Sequence, residues 1–168
     1  MTTILLIRHG IAEDPLPGRP DAERSLTVEG WEKTRAAMTG LVRLGHAPTQ
    51  AVSSPYVRAA QTLVCLKEAA PLWFPVSYWE GLVPEGSVFE AEVWLRGELA
   101  ALGSEEVLAL VSHQPFCSEL TRHLTGQWIA FKRAACAVLR FEEGRFRLES
   151  HFQPKELRKH GKKGLIDL

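Results

Sequence analysis

Apolar positions along the chain gather into short runs, and stretches of helical periodicity lie between them. Thr3 to Ile7 is β-branched and leucine-rich, too short for a helix and apolar on both faces, which suits a central parallel strand. Gln50 to Ser53 and Val107 to Val111 read the same way, whereas Trp73 to Tyr78 contains Pro75 and is expected at an edge. Thr27 as N-cap predicts a helix running to Leu44 before Gly45, and Ser54-Pro55 predicts one reaching Ala69. Ser87 with Glu90 forms a capping-box pattern ahead of a helix from Val88 to Ala101, and Pro115 opens another. Cys136 to Phe141 and Phe146 to Phe152, joined by Glu142-Glu143-Gly144-Arg145, predict a hairpin. The expected fold is α/β: three layers, with a mostly parallel central sheet flanked by helices and a C-terminal antiparallel hairpin at the sheet edge.

Length and charge narrow this picture. The 168 residues fit one compact domain, expected over 1–153, followed by a basic tail over 154–168 that is solvated or loosely docked. Lys plus Arg and Asp plus Glu are each 20, so no global field recruits nucleic acid or an anionic membrane, and any anion site must be local. No apolar run approaches the roughly 20 residues that span a bilayer, and the first residues enter a strand with no signal-peptide pattern. A cytoplasmic location is expected, and a monomer is favoured. Cys65, Cys117 and Cys136 are odd in number and lack paired spacing, which fits small core residues in a reducing compartment. No metal or cofactor is expected.

The candidate chemistry lies where apolar runs stop. In an open α/β sheet, ligands bind beyond the carboxyl ends of the parallel strands. Three such exits carry Arg8-His9-Gly10, Arg58 just inside a helix, and His113-Gln114. Two arginines and two histidines on one rim would repel one another and suffer desolvation without an anion between them. A phosphoryl group fits, because its transition state spreads charge over three equatorial oxygens that guanidinium forks can hold. His9, as a neutral imidazole, can serve as nucleophile, and His113 can donate to the phosphoryl oxygens. Gly10 would allow close approach of the backbone, and Gln114 joins the binding set. Other designs fail: the position that a cysteine phosphatase loop needs as arginine is His123 after Cys117, and no GxSxG, Walker A or HExxH pattern occurs.

These residues carry a resemblance. Arg8-His9-Gly10 after an apolar strand, Leu26-Thr27-Val28-Glu29-Gly30, Ser54-Pro55-Tyr56-Val57-Arg58-Ala59-Ala60-Gln61-Thr62 and Val111-Ser112-His113 resemble, in order, four elements of the histidine phosphatase (phosphoglycerate-mutase-like) superfamily. The short chain, the Arg24-Ser25-Leu26-Thr27 form and the Lys33-Thr34-Arg35 continuation look most like its SixA-type phosphohistidine phosphatase branch. The resemblance implies a phosphatase in which His9 is phosphorylated while Arg8, Arg58 and His113 hold the phosphoryl group. It also implies a phosphohistidine protein as substrate, since an imidazole leaving group with pKa of about 6.5 departs readily once protonated. Two alternatives stand beside it. One is a small-molecule phosphomonoesterase using Glu80 or Glu85 as leaving-group acid; the other is a phosphate-binding module without catalysis.

Overall fold

The computed structural model describes residues 1–162. Six strands form one sheet: β1 (Thr2–Arg8), β2 (Gln50–Ser53), β3 (Val76–Tyr78), β4 (Val107–Ser112), β5 (Cys136–Glu142) and β6 (Arg145–Phe152). Their order is β3-β2-β4-β1-β5-β6. The first four run parallel, and β5 and β6 are antiparallel, so the hairpin extends the sheet at one edge. The short β3, with Ser77 and Tyr78 exposed, is the opposite edge, as Pro75 just before it foreshadows.

Five helices cover the two faces: α1 (Val28–Arg43), α2 (Val57–Ala69), α3 (Val88–Ala101), α4 (Phe116–Thr125) and α5 (Pro154–Lys162). Alternation along β1 divides the core. Ile4 and Leu6 pack with Leu95, Leu99, Phe116 and Leu120 from α3 and α4, whereas Leu5 and Ile7 pack with Met38, Leu41, Leu63 and Leu66 from α1 and α2. Each such fully buried side chain contributes about 1.5–3 kcal/mol, which anchors β1 firmly in the centre of the sheet. The residues at its carboxyl end inherit that rigidity.

Helix starts follow the caps, with small shifts. Thr27 accepts from Gly30 N–H at 2.9 Å and Ser87 from Glu90 N–H at 3.3 Å. Ser54 accepts from Tyr56 N–H at 3.2 Å, but the helix begins at Val57, two residues later than Ser54-Pro55 suggests. The larger correction is at the C-terminus. Pro154–Lys162, expected within a solvated or loosely docked tail, is helix α5 packed on α1, with Leu157 fully buried. Gly40 makes the packing possible, because a Cβ there would stand 1.8 Å from the Leu157 carbonyl oxygen. The rest of that expected tail lies outside the described residues. Among the described residues no helix is long and apolar enough to cross a membrane.

Candidate active site

Because β1 and β4 pair in parallel with Arg8 opposite Ser112, the residues that follow them leave the sheet side by side. His9 N–H donates to the Ser112 carbonyl at 3.0 Å, and the His9 and His113 rings lie 5.1 Å apart. The neighbouring exit is fixed the same way, since Ser54 N–H donates to the Val111 carbonyl at 2.9 Å. Arg58, in the first turn of α2, is 3% exposed, and its Nε–H donates to His9 Nε2 at 3.3 Å. Three exits therefore bring Arg8, His9, Arg58 and His113 into one cleft of about 370 Å³.

The His9 ring has a defined tautomer. Its Nδ1 lies 2.7 Å from the Gly10 carbonyl oxygen, which can only accept, so Nδ1 carries the proton and Nε2 keeps its lone pair. Gly10 is held in turn. Its N–H donates to Thr62 Oγ1 at 3.0 Å, and that hydroxyl donates to the Arg58 carbonyl at 2.8 Å. The need for glycine comes from α1, because a Cβ would sit 1.9 Å from Thr34 Oγ1. The close approach at Gly10 is thus to a helix, and Gly10 is not among the residues lining the cleft.

Electrostatics keep both rings neutral. Burial lowers the His9 pKa to about 3, aided by the charges of Arg58, Arg8 and Arg24 and opposed by the Gly10 hydrogen bond. Burial lowers that of His113 to about 2, with His9 and Arg58 adding to the effect and Asp21 opposing it. His113 Nε2 pairs with Ser54 Oγ at 2.8 Å, and Tyr56 packs edge-on against the ring with centroids 5.0 Å apart. Among the described residues its Nδ1 has no hydrogen-bond partner although it is buried, and Arg8 Nε shares that condition. Arg8 reaches the Phe131 carbonyl through its NH1 group at 2.8 Å.

Two cleft residues, Asp21 and Arg133, escaped the sequence reading. Asp21, in a 3-10 turn over Asp21–Glu23, accepts from Arg58 through its carboxylate at 3.0 Å and its carbonyl at 2.7 Å. It also accepts from Arg24 Nε at 2.7 Å. Arg133 also lines the cleft, and Asp14, five residues after His9, adds a second carboxylate. The only available signal was the Asp21-x-x-Arg24 spacing just before Leu26-Thr27, which a loop reading treats as surface charge.

Gln114 lines the cleft, but its side chain is engaged with α4. Its Oε1 accepts from Ser118 N–H at 3.0 Å, and its Nε2 donates to Ser118 Oγ at 2.7 Å. Glu80 and Glu85 are exposed and do not line the cleft, although Pro84 between them does. Their charges reach Tyr56, whose pKa is raised first by burial and then by Glu85, Asp21 and Glu80. All three cysteines are free and buried, and burial pushes the Cys65 thiol up to about 12. Among the described residues no group of three or more His, Cys, Asp or Glu is placed to hold a metal ion. A hollow of about 410 Å³, lined by Val88, Glu119, Arg122, His123 and Trp128, contains none of the strand-end residues.

Comparisons with known proteins agree with this fold. The sequence model of the histidine phosphatase superfamily (branch 1) matches residues 4–83. An uncharacterized protein of Picosynechococcus sp. is 33% identical over 152 residues, covering 88% of this chain and 89% of its own. Among solved structures, the protein histidine phosphatase SixA complexed with tungstate superposes with a TM-score of 0.83 at 23% identity, over 92% of this chain and 99% of that one. A phosphoserine phosphatase of Entamoeba histolytica, in complex with phosphoserine, superposes with a TM-score of 0.70 at 18% identity, over 94% and 100% of the two chains. At those identities the superpositions speak for the fold.

Proposed function

The chain belongs to the histidine phosphatase superfamily, and from that premise we propose that it hydrolyses phosphohistidine on a protein substrate, as a SixA-type enzyme, through a phosphorylated His9. The observation that carries the reading is the His9 tautomer. With Nδ1–H committed to the Gly10 carbonyl, the Nε2 lone pair faces the Arg58 guanidinium, where a phosphoryl group would be held.

In the first step Nε2 attacks phosphorus in line. The His9 N–P bond forms as the bond to the leaving group breaks, and the leaving nitrogen takes a proton from solvent. Arg8, Arg58 and His113 hold the equatorial oxygens, and the partnerless Arg8 Nε and His113 Nδ1 are polar atoms that such a ligand could satisfy. In the second step water attacks the phosphohistidine, releasing inorganic phosphate and restoring neutral His9. Burial matters to both steps: a histidine held well below its usual pKa is neutral throughout the physiological range, so no fraction of the nucleophile is lost to protonation.

The exposed positions of Glu80 and Glu85 favour a substrate whose leaving group needs little help from an acid. The phosphoserine phosphatase neighbour favours the second reading, a small-molecule phosphomonoesterase. Turnover of a phosphohistidine-bearing protein, measured beside a panel of phosphate esters, separates the two. The expected result is a higher kcat/KM for the phosphohistidine protein. A uniform preference for esters would reverse the order.

A further inference from the structure

Residues 130–135 connect the region after α4 to β5 and bring to the cleft one residue, Arg133, that no strand exit supplies. This segment is stapled on both sides. Ala134 N–H is shared between the Arg8 and His9 carbonyls, at 3.1 and 3.0 Å, while Arg8 N–H donates to the Ala135 carbonyl at 3.1 Å. Ala135 N–H closes a turn on the Lys132 carbonyl at 2.9 Å. On the outer side, Gln153 accepts from Lys132 N–H at 3.3 Å and donates to the Ala130 carbonyl at 3.0 Å. Ala134 adopts φ 68, a left-handed conformation that a residue with a Cβ rarely takes. The bonds to Arg8 and His9 hold it there. Arg133, one residue earlier, is thereby presented at the rim by a segment tied to the backbone of His9.

Among the described residues its charge has no ion-pair partner. Four arginines line the cleft: Arg8, Arg24, Arg58 and Arg133. Asp21 bridges Arg24 and Arg58. Among the described residues, Arg133 forms no ion pair, and Asp14, the other carboxylate of the cleft, forms none either. Arg133 is also the foremost charge lowering the Arg8 pKa, second only to burial, so the two cations are near enough to oppose one another. A phosphoryl group between Arg8 and Arg58 would relieve part of that repulsion and leave the exposed rim cation unmatched.

We propose that Arg133 is a specificity-determining residue that binds a second anionic group, a carboxylate carried beside the phosphoryl group on the leaving portion of the substrate. This rests on the phosphatase reading above. The carboxylate has two sources: an acidic side chain next to phosphohistidine on a protein, or the carboxylate of a small phosphate ester. Either would meet the guanidinium as a charge-assisted pair.

The test compares matched substrates. One pair is two phosphohistidine peptides that differ only by Glu or Gln beside the phosphohistidine; the other is 3-phosphoglycerate against glycerol 3-phosphate. Wild-type enzyme is expected to favour the carboxylate-bearing member by about three- to five-fold in kcat/KM, chiefly through KM, as befits a rim ion pair. Arg133→Gln is expected to bring the ratio to about one, and Arg133→Lys to keep part of it. The pair in which the preference occurs identifies the source of the carboxylate. Turnover without a wild-type preference, or a preference that survives in Arg133→Gln, overturns the assignment of Arg133. Absence of turnover on every substrate overturns the phosphatase reading itself.

Discussion

The exits of β1 and β4 are neighbours with the same backbone layout, yet their histidines are held in opposite ways. His9 is fixed at Nδ1 by a backbone carbonyl, and its Nε2 lone pair accepts from Arg58 Nε–H at 3.3 Å. His113 is fixed at Nε2 by the Ser54 hydroxyl, and its Nδ1 has no partner among the described residues. Burial drives both pKa values down, so charge alone would not distinguish them. Hydrogen bonding does. A carbonyl partner dictates one tautomer and so produces a nucleophile, whereas a hydroxyl can donate or accept and leaves its histidine free to serve as a donor when an anion arrives.

The largest expected effect follows from that division. His9→Ala should abolish turnover and covalent labelling together, by a factor on the order of 10⁴ or more. His113→Ala should lower turnover by about 10²–10³, the size of one lost donor to a transition-state oxygen, while label still accumulates on His9. Single-turnover quenching with a radiolabelled phosphohistidine protein measures both. Equal losses of label in the two variants would erase the distinction between the exits.

An intermediate effect is expected on stability. Unfolding releases both imidazoles to an ordinary pKa of about 6.5, while the folded values are about 3 for His9 and about 2 for His113. Below about pH 6.5 the unfolded chain binds protons that the folded chain refuses. The contribution of these neutral rings is therefore fully present above that pH and is lost as pH falls toward the folded values. The slope approaches about 1.4 kcal/mol per pH unit for each histidine. Denaturant titrations across this range should show the loss, and His9→Asn with His113→Asn should flatten it.

How much of this was legible in the sequence depends on how each residue reaches the cleft. His9, Arg8, Arg58 and His113 sit directly after strands or at a helix start, so local pattern and the parallel-sheet rule bring them together. Asp21 and Arg133 arrive by loops whose paths are set by tertiary hydrogen bonds, through Arg58 in one case and the Arg8 and His9 carbonyls in the other. Nothing in their local sequence announces those bonds. Gly10 was legible as a close approach but not as to what approaches, since Thr34 is 24 residues away on α1. The docking of α5 was hidden because its basic composition outweighs one informative position, Leu157, in any reading by charge.

The smallest expected effect sharpens the comparison most. Ser54→Ala removes the hydroxyl that orients His113 and also the acceptor for Tyr56 N–H. The expected cost is about 1 kcal/mol of stability, the net worth of such a bond, and about a three- to ten-fold loss of kcat as the His113 ring loses its orientation. Ser54→Thr keeps a hydroxyl at the same position and should recover most of the rate. Because the Ser54 hydroxyl bonds to Tyr56 N–H and His113 while the His9 ring bonds to Gly10 and Arg58, the His9 tautomer should be unchanged, and the amount of label trapped on His9 should match wild type at saturating substrate. Nitrogen-15 chemical shifts of the two imidazoles provide a direct check: the His113 signals should move in Ser54→Ala, and the His9 signals should stay where the Gly10 carbonyl holds them. A shift of His9 as well would mean that the two exits titrate and orient as one unit, and that the division of roles belongs to the pair.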